Sequence, residues 1–96
     1  MSLNVVFTEK AYETLEITLD FVREKWGEKT SDKLDAEIRK KLKLISLHPY
    51  MYKASSIKKE LRKCTVSKQT SFFYEIMKDH ILVVYFWDNR QQPIME

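Results

Sequence analysis

Six lysines and arginines fall within sixteen positions of this chain: Lys53, Lys58, Lys59, Arg62, Lys63 and Lys68, with Glu60 the one acid among them. A further cation, Arg90, directly follows the most apolar run, Ile81–Trp87. Side chains of this type can clamp a phosphate, balance charge that develops during phosphoryl transfer, or dock on an acidic protein surface. Other chemistries find little support. His48 and His80 have no Cys or acidic partners at metal-ligand spacing, so no metal is expected. A single glycine leaves no phosphate-binding loop, no Ser-His-Asp pattern is present, and no cofactor is expected. His48 lies at a helix end, where imidazole suits the dipole, and His80 in an exposed turn. Cys64 has basic neighbours that would lower its pKa, but its strand pattern predicts a buried, inert thiol.

The net charge of +3 conceals an uneven distribution. Residues 1–38 carry five basic and nine acidic side chains, residues 39–68 carry ten and one, and residues 69–96 carry two and four. The middle third, at +9, is a positive source able to steer an anionic partner. The 96 residues suffice for one domain, 1–96, with a modest core. One cysteine fits a reducing compartment, and no apolar run is long enough to span a bilayer, so a cytoplasmic protein without membrane contact is expected. A basic surface of this kind does not suit a small apolar substrate.

Several elements must position these cations. Leu3–Phe7 reads as a short β-branched strand, and Thr8 as the N-cap of a helix. Tyr12, Leu15, Leu19, Val22 and Trp26 recur at steps of three and four, which predicts their burial on one helical stripe. Gly27 should close that helix at positive φ. A second helix is predicted from Lys29 or Ser31 to His48, with Leu34, Ile38, Leu42 and Ile45 inward and Pro49 as its stop. So short a link makes the two an antiparallel helix hairpin. After a connector, Tyr50–Ser56, three strands follow: Ile57–Val66, Ser71–Ile76 and Ile81–Arg90. Turns fall at Lys68–Thr70 and Lys78–His80. Phe72, Tyr74 and Ile76 should share one face; the last strand, apolar on both faces, should be central. Tyr85 and Trp87 are expected to complete the core beneath the hairpin, with a nucleobase-stacking platform beside Arg90 as the alternative. The fold class is α+β: an N-terminal strand and a helix hairpin packed on a small antiparallel sheet.

The order strand–helix–helix–strand–strand–strand, the Leu61-Arg62 pair, the Phe72-Phe73-Tyr74 run and the apolar strand ending in Asp88-Asn89-Arg90 together resemble the RelE/ParE superfamily. The likeness covers about Val5 to Arg90. That superfamily supplies toxins of type II toxin–antitoxin (plasmid stabilisation) modules. RelE-like members cut messenger RNA in the ribosomal A site, whereas ParE-like members poison DNA gyrase without cutting nucleic acid. Each is neutralised by a cognate antitoxin that wraps it.

On this resemblance Lys58, Lys59 and Arg62 match the cations around the second strand, and Arg90 matches the arginine after the last one. They would be the catalytic residues of a ribonuclease. Two parts of that machinery are missing. Ser71 stands where RelE-like enzymes place an arginine, and Gln91–Glu96 contains no Tyr or His to act as an acid. The resemblance therefore leans toward gyrase inhibition, with Lys53, Lys58, Lys59, Arg62, Lys63, Lys68 and Arg90 as the target-binding surface. The alternatives are a ribosome-dependent endoribonuclease and a non-toxic binding protein of the same fold. The antitoxin should be acidic where it covers residues 39–68 and should bring apolar anchors to exposed edges of the hairpin or sheet.

Overall fold

The chain starts with a four-residue strand, β1 (Asn4–Phe7), which Thr8 turns into helix α1 (Glu9–Trp26). The Thr8 hydroxyl accepts the Ala11 N–H at 2.9 Å and donates to the Val84 carbonyl at 2.6 Å. One side chain thus caps the helix and ties it to a distant strand. The computed structural model describes residues 2–56 and 58–90.

Gly27, at φ 96° and ψ 168°, ends α1 through its N–H to the Arg23 carbonyl and is also the residue from which α2 (Glu28–Leu47) begins. The positive φ is what the glycine was expected to supply; its ψ is extended rather than left-handed helical. With a one-residue link, α2 starts at Glu28, ahead of the expected Lys29 or Ser31. Ser31 is instead buried between the helices, its hydroxyl donating to the Leu19 carbonyl at 3.0 Å.

Three further strands complete a sheet: β2 (Leu61–Thr65), β3 (Thr70–Ile76) and β4 (His80–Asp88), in the order β1-β4-β3-β2. The meander β2-β3-β4 is antiparallel and β4 is an inner strand, both as expected. β1, however, pairs with β4 in parallel, Asn4 opposite His80 through Phe7 opposite Val83, so the sheet is mixed. The cause is the path of α1. It continues in the direction of β1, and α2 brings the chain back to the starting end, where Leu3 and Ser46 exchange two hydrogen bonds of 3.0 and 2.6 Å. Up, down and up through the meander then leaves β4 running with β1. β2 is shorter than Ile57–Val66: residues 58–60 form a turn before it, and Ile57 lies outside the described residues. His80 is not in the turn but is the first residue of β4, half-buried and paired with Asp79 at 2.7 Å.

Both helices lie on one face, where Ala11, Ile38, Ile45, Cys64, Phe72, Tyr74, Ile81, Val83 and Phe86 form the core. The α1 stripe is only partly the expected one. Val22 is buried, but Tyr12 and Trp26 are 63% and 43% exposed, and Ala11 takes the innermost place. A methyl group there lets α1 approach β4 closely enough for hydrogen bonding between helix side chain and strand backbone.

That approach matters because β4 carries one residue more than β3: Phe73 opposes Tyr85 while Tyr74 opposes Val83, leaving Val84 as a bulge. Ile81 and Val83 face the helices before the bulge, and Phe86 faces them after it. Tyr85 and Trp87 therefore lie on the outer face, opposite the hairpin, and do not complete the core as expected. Beyond Phe7 the β4 edge has no neighbouring strand. The Thr8 hydroxyl serves the Val84 carbonyl, and Thr14 Oγ1 accepts the Phe86 N–H at 2.8 Å. Thr14→Val keeps the shape and removes that acceptor. It should destabilise the protein by about 1–3 kcal/mol, seen as a lower denaturant midpoint with an unchanged m-value.

Candidate functional site

The expected cations fall into two groups. Lys53, Lys58 and Lys59 are exposed on the connector and turn leading into β2. Arg62, the second residue of that edge strand, is half-buried and committed locally: Nη1 donates to the Tyr52 carbonyl at 2.5 Å, and its guanidinium lies 4.9 Å from the Tyr50 ring centroid. A backbone bridge between Ala54 and Arg62 holds the connector against β2 at this point. Lys63 turns to the outer face, with its ammonium 6.0 Å from the Phe73 ring. Cys64, between these residues and the core, is fully buried. Burial pushes its thiol up, so the basic neighbours do not activate it. Burial also pushes the Tyr52 and Tyr74 phenols up to about 12, and Tyr74 donates to the Pro49 carbonyl at 2.8 Å.

Arg90 and Lys68 belong to the opposite end of the sheet. The Asn89 N–H donates to the Gln69 carbonyl at 2.8 Å, which fastens the β2–β3 turn to the end of β4 and brings Lys68 near Arg90. Arg90 itself is held on three sides. Nη2 and Nε reach the Asp88 carboxylate at 2.6 and 3.0 Å, and its backbone N–H adds a third bond at 2.9 Å. The guanidinium lies over the Phe21 and Trp26 rings of α1 at 5.0 and 5.9 Å. Those rings meet edge to face at 6.0 Å, and Lys25 sits over both, at 5.6 and 5.5 Å. The salt bridge to Asp88 and the α1 aromatics thus hold the guanidinium together.

Phe21, Trp26 and Lys25 were not singled out as site residues. The signal was present: Ile17 and Phe21, four apart, form an apolar pair on a helix flank that the core stripe leaves unused, and both are exposed. Below Trp26 a shallow groove of about 420 Å³ opens between the hairpin tip and the β2–β3 turn, floored by Val22 and Leu34 and edged by Lys33, Gln69 and Thr70.

The two groups of cations do not converge. Arg62 is level with Val83, seven residues before Arg90, which sets the two roughly 20 Å apart along the strand direction. Ser71, where a clamping arginine would stand, is fully buried, and its hydroxyl donates to Asn89 Oδ1 at 2.9 Å. On the outer face Phe73 stacks on Tyr85 at 4.9 Å, Tyr85 meets Trp87 at 6.3 Å, and Lys10 reaches over Tyr85 at 5.5 Å. Among the described residues no cluster of His, Cys, Asp and Glu is suited to a metal, and no helix is long and apolar enough to cross a membrane. Gln91–Glu96, the segment lacking an acid, lies outside the described residues.

Hydrogen bonds from Arg90 hold the Asp88 carboxyl below the usual carboxylate range. The pair therefore adds stability at neutral pH that fades as pH falls from about 4 through the lower folded value. Asp88→Asn should be less stable than the parent at pH 7, with the gap closing in acid. Thermal unfolding of both proteins between pH ~7 and ~2.5 checks this.

Comparison with known proteins agrees with this geometry. Residues 5–93 match the family described as the ParE toxin of type II toxin–antitoxin systems, parDE. No curated protein matches the sequence. Among solved structures, the chromosomal ParDE toxin–antitoxin system of P. aeruginosa superposes with a TM-score of 0.76 at 16% identity, over 91% of this chain and 96% of that one. The YoeB dimer of Staphylococcus aureus gives 0.62 at 15% identity over 91% and 97%. The E. coli DinJ–YafQ toxin–antitoxin complex gives 0.63 at 5% identity over 94% and 96%. At these identities the structural likeness establishes the α+β fold, and the match across nearly the whole sequence establishes the family: the chain belongs to the ParE toxins of type II toxin–antitoxin systems.

Proposed function

We propose that this ParE-family toxin acts in the cytoplasm by protein–protein contact with DNA gyrase, and that a cognate antitoxin holds it inactive. The observation that carries this reading is the separation of its cations. Cleavage at a 2′-hydroxyl needs several charges aimed at one phosphate. Here Arg90 is bound to Asp88 and stacked on α1, Arg62 is fixed to the connector, and the two are roughly 20 Å apart. Cations spread along a surface suit an extended acidic partner better than a scissile bond. Lys53, Lys58, Lys59, Arg62 and Lys63 form one part of that surface, and Lys68 and Arg90 the other.

A ribosome-dependent ribonuclease is the second reading. The outer-face row Phe73–Tyr85–Trp87, with Lys10 and Lys63 over two of its rings, favours it, since such a row suits nucleobase stacking. Induction of the chain alone in a bacterial host should arrest growth with full-length transcripts, and the purified protein should inhibit gyrase supercoiling. Lys58→Glu with Lys59→Glu should raise the concentration needed for inhibition about tenfold. Transcripts cut within codons would sink the gyrase reading in favour of the ribonuclease. No arrest and no inhibition would point to a non-toxic relative.

The antitoxin partner is supported by the family and by the strong positive charge of residues 39–68. Its association rate should fall about tenfold between low and high salt, because steering by exposed charges is screened beyond about 8–10 Å. Stopped-flow mixing across a salt series measures this. A flat profile would remove the basic surface as the docking site.

A further inference from the structure

We infer that the outward faces of α1 and α2 form a self-docking surface, through which two copies of this chain meet hairpin to hairpin about a twofold axis parallel to the helices. The inference rests on neither reading of the toxin's target.

The surface is built from two stripes of matched spacing. On α1, Glu13, Ile17, Asp20 and Glu24 follow at steps of four, three and four, and all are exposed. Such steps keep side chains on one side of a helix, here the side turned away from the sheet. On α2, Lys29, Lys33, Ala36, Lys40 and Lys43 follow at four, three, four and three and are likewise exposed. One hairpin thus carries an acidic stripe beside a basic one, with Ile17, 67% exposed, amid the acids. Most other charges of the helices are engaged elsewhere. Lys10 lies over Tyr85 and Lys25 over Phe21 and Trp26. Arg23 binds Asp20 and Glu28, and Arg39 binds Asp35. Glu37 turns to the groove below Trp26. Asp32 is the acid left beside the lysines, and Glu9 and Glu16 reinforce the acidic stripe.

The two stripes are also in register. Gly27 alone links the helices, so positions of α1 and α2 whose numbers add to roughly 53 lie level. The Ser31–Leu19 hydrogen bond across the hairpin agrees to within one turn. Glu13 is then level with Lys40, Ile17 with Ala36, Asp20 with Lys33 and Glu24 with Lys29. Within one molecule these side chains point outward side by side, and among the described residues no ion pair joins them. A twofold axis parallel to the helices preserves level and exchanges α1 with α2, so each acid of one copy faces the matching lysine of the other. Ile17 then enters the space over Ala36, where a methyl group allows close approach. An axis across the helices would instead lay acid on acid and lysine on lysine. Charge therefore selects both the partner and the symmetry. An acidic helix laid over the hairpin would meet the acids of α1, and a basic one the lysines of α2. The contact is isologous and closes as a dimer.

Sedimentation velocity of the intact protein at about 50 mM salt should show a monomer–dimer equilibrium with a dissociation constant of about 10–100 µM, weakened at least about tenfold at about 0.5 M salt. Two paired charge swaps test the geometry. Glu13→Lys with Glu24→Lys, and Lys29→Glu with Lys40→Glu, should each weaken self-association at least about tenfold, because like charges then face each other. Mixed in equal amounts, the two variants bring opposite charges together again and should form a heterodimer as tight as the parent dimer. Lys58→Glu with Lys59→Glu changes the net charge as much as the second swap but lies off the stripe, and should dimerise like the parent. The swapped side chains are exposed, so thermal midpoints should stay within about 5 °C of the parent. A parent that stays monomeric up to about 500 µM would overturn the assignment and leave the lysines of α2 to an acidic partner. Swapped variants that dimerise as the parent does, or a mixture that fails to associate, would overturn it equally.

Discussion

Val84 is the residue that β4 holds in excess of β3, and its insertion reverses the facing of everything after it. Without it the core alternation begun by Ile81 and Val83 would continue through Tyr85 and Trp87, and Phe86 would point to solvent. With it, Phe86 closes the core against Phe72 and Phe7, with ring centroids at 5.4 and 5.8 Å. Beyond Phe7 the same stretch of β4 has no neighbouring strand on the β1 side to pair its backbone groups, and a buried unpaired amide is costly. Thr8 and Thr14 satisfy those groups from α1. The helix is thus held by two hydroxyls together with a narrow apolar stripe of Ala11, Leu15 and Val22. Because α1 is seated there, its far end meets the end of β4, and Arg90 finds Phe21 and Trp26.

The polar surface is organised around the same geometry. β1 is a short edge strand tied down through Leu3 and Ser46. β2, the other edge, carries Arg62 and Lys63 and is bridged by Ala54, devices that discourage unwanted strand pairing while leaving a charged border. The molecule therefore carries its cations in two separate groups, one at the entrance to β2 and one, Lys68 and Arg90, where the β2–β3 turn meets the end of β4. An extended partner can engage both; a compact anion cannot.

Much of the architecture was legible in the residues. Thr8 as a cap, the lone glycine at positive φ, Pro49 after α2 and the two-sided apolarity of β4 each report a local constraint with one economical solution. What escaped were effects of register and proximity. The bulge at Val84 has no mark in a run of Ile, Leu and Val, so the outward facing of Tyr85 and Trp87 was missed. The parallel pairing of β1 depends on the direction in which α1 leaves it, which no local pattern encodes. Trp26 continues the apolar period of α1, yet that period extends beyond the sheet, and periodicity cannot tell where a helix runs out of partner. The place of Arg90 directly after a buried strand was readable; its engagement with Asp88 and two aromatic rings required the tertiary fold.

The parallel pairing of β1 with β4 has a consequence for how the protein comes into being. Seventy-six residues separate each paired position, from Asn4 with His80 to Phe7 with Val83. A ribosome releases β1 well before β4, so the first strand and the helices wait through those 76 residues without the strand that unites them. Until then Thr8 and Thr14 have no backbone to serve, and Phe21 and Trp26 have no arginine to hold. A chain that has not yet reached β4 carries the lysines but not the surface they belong to, and the toxin fold is assembled only once that strand has emerged.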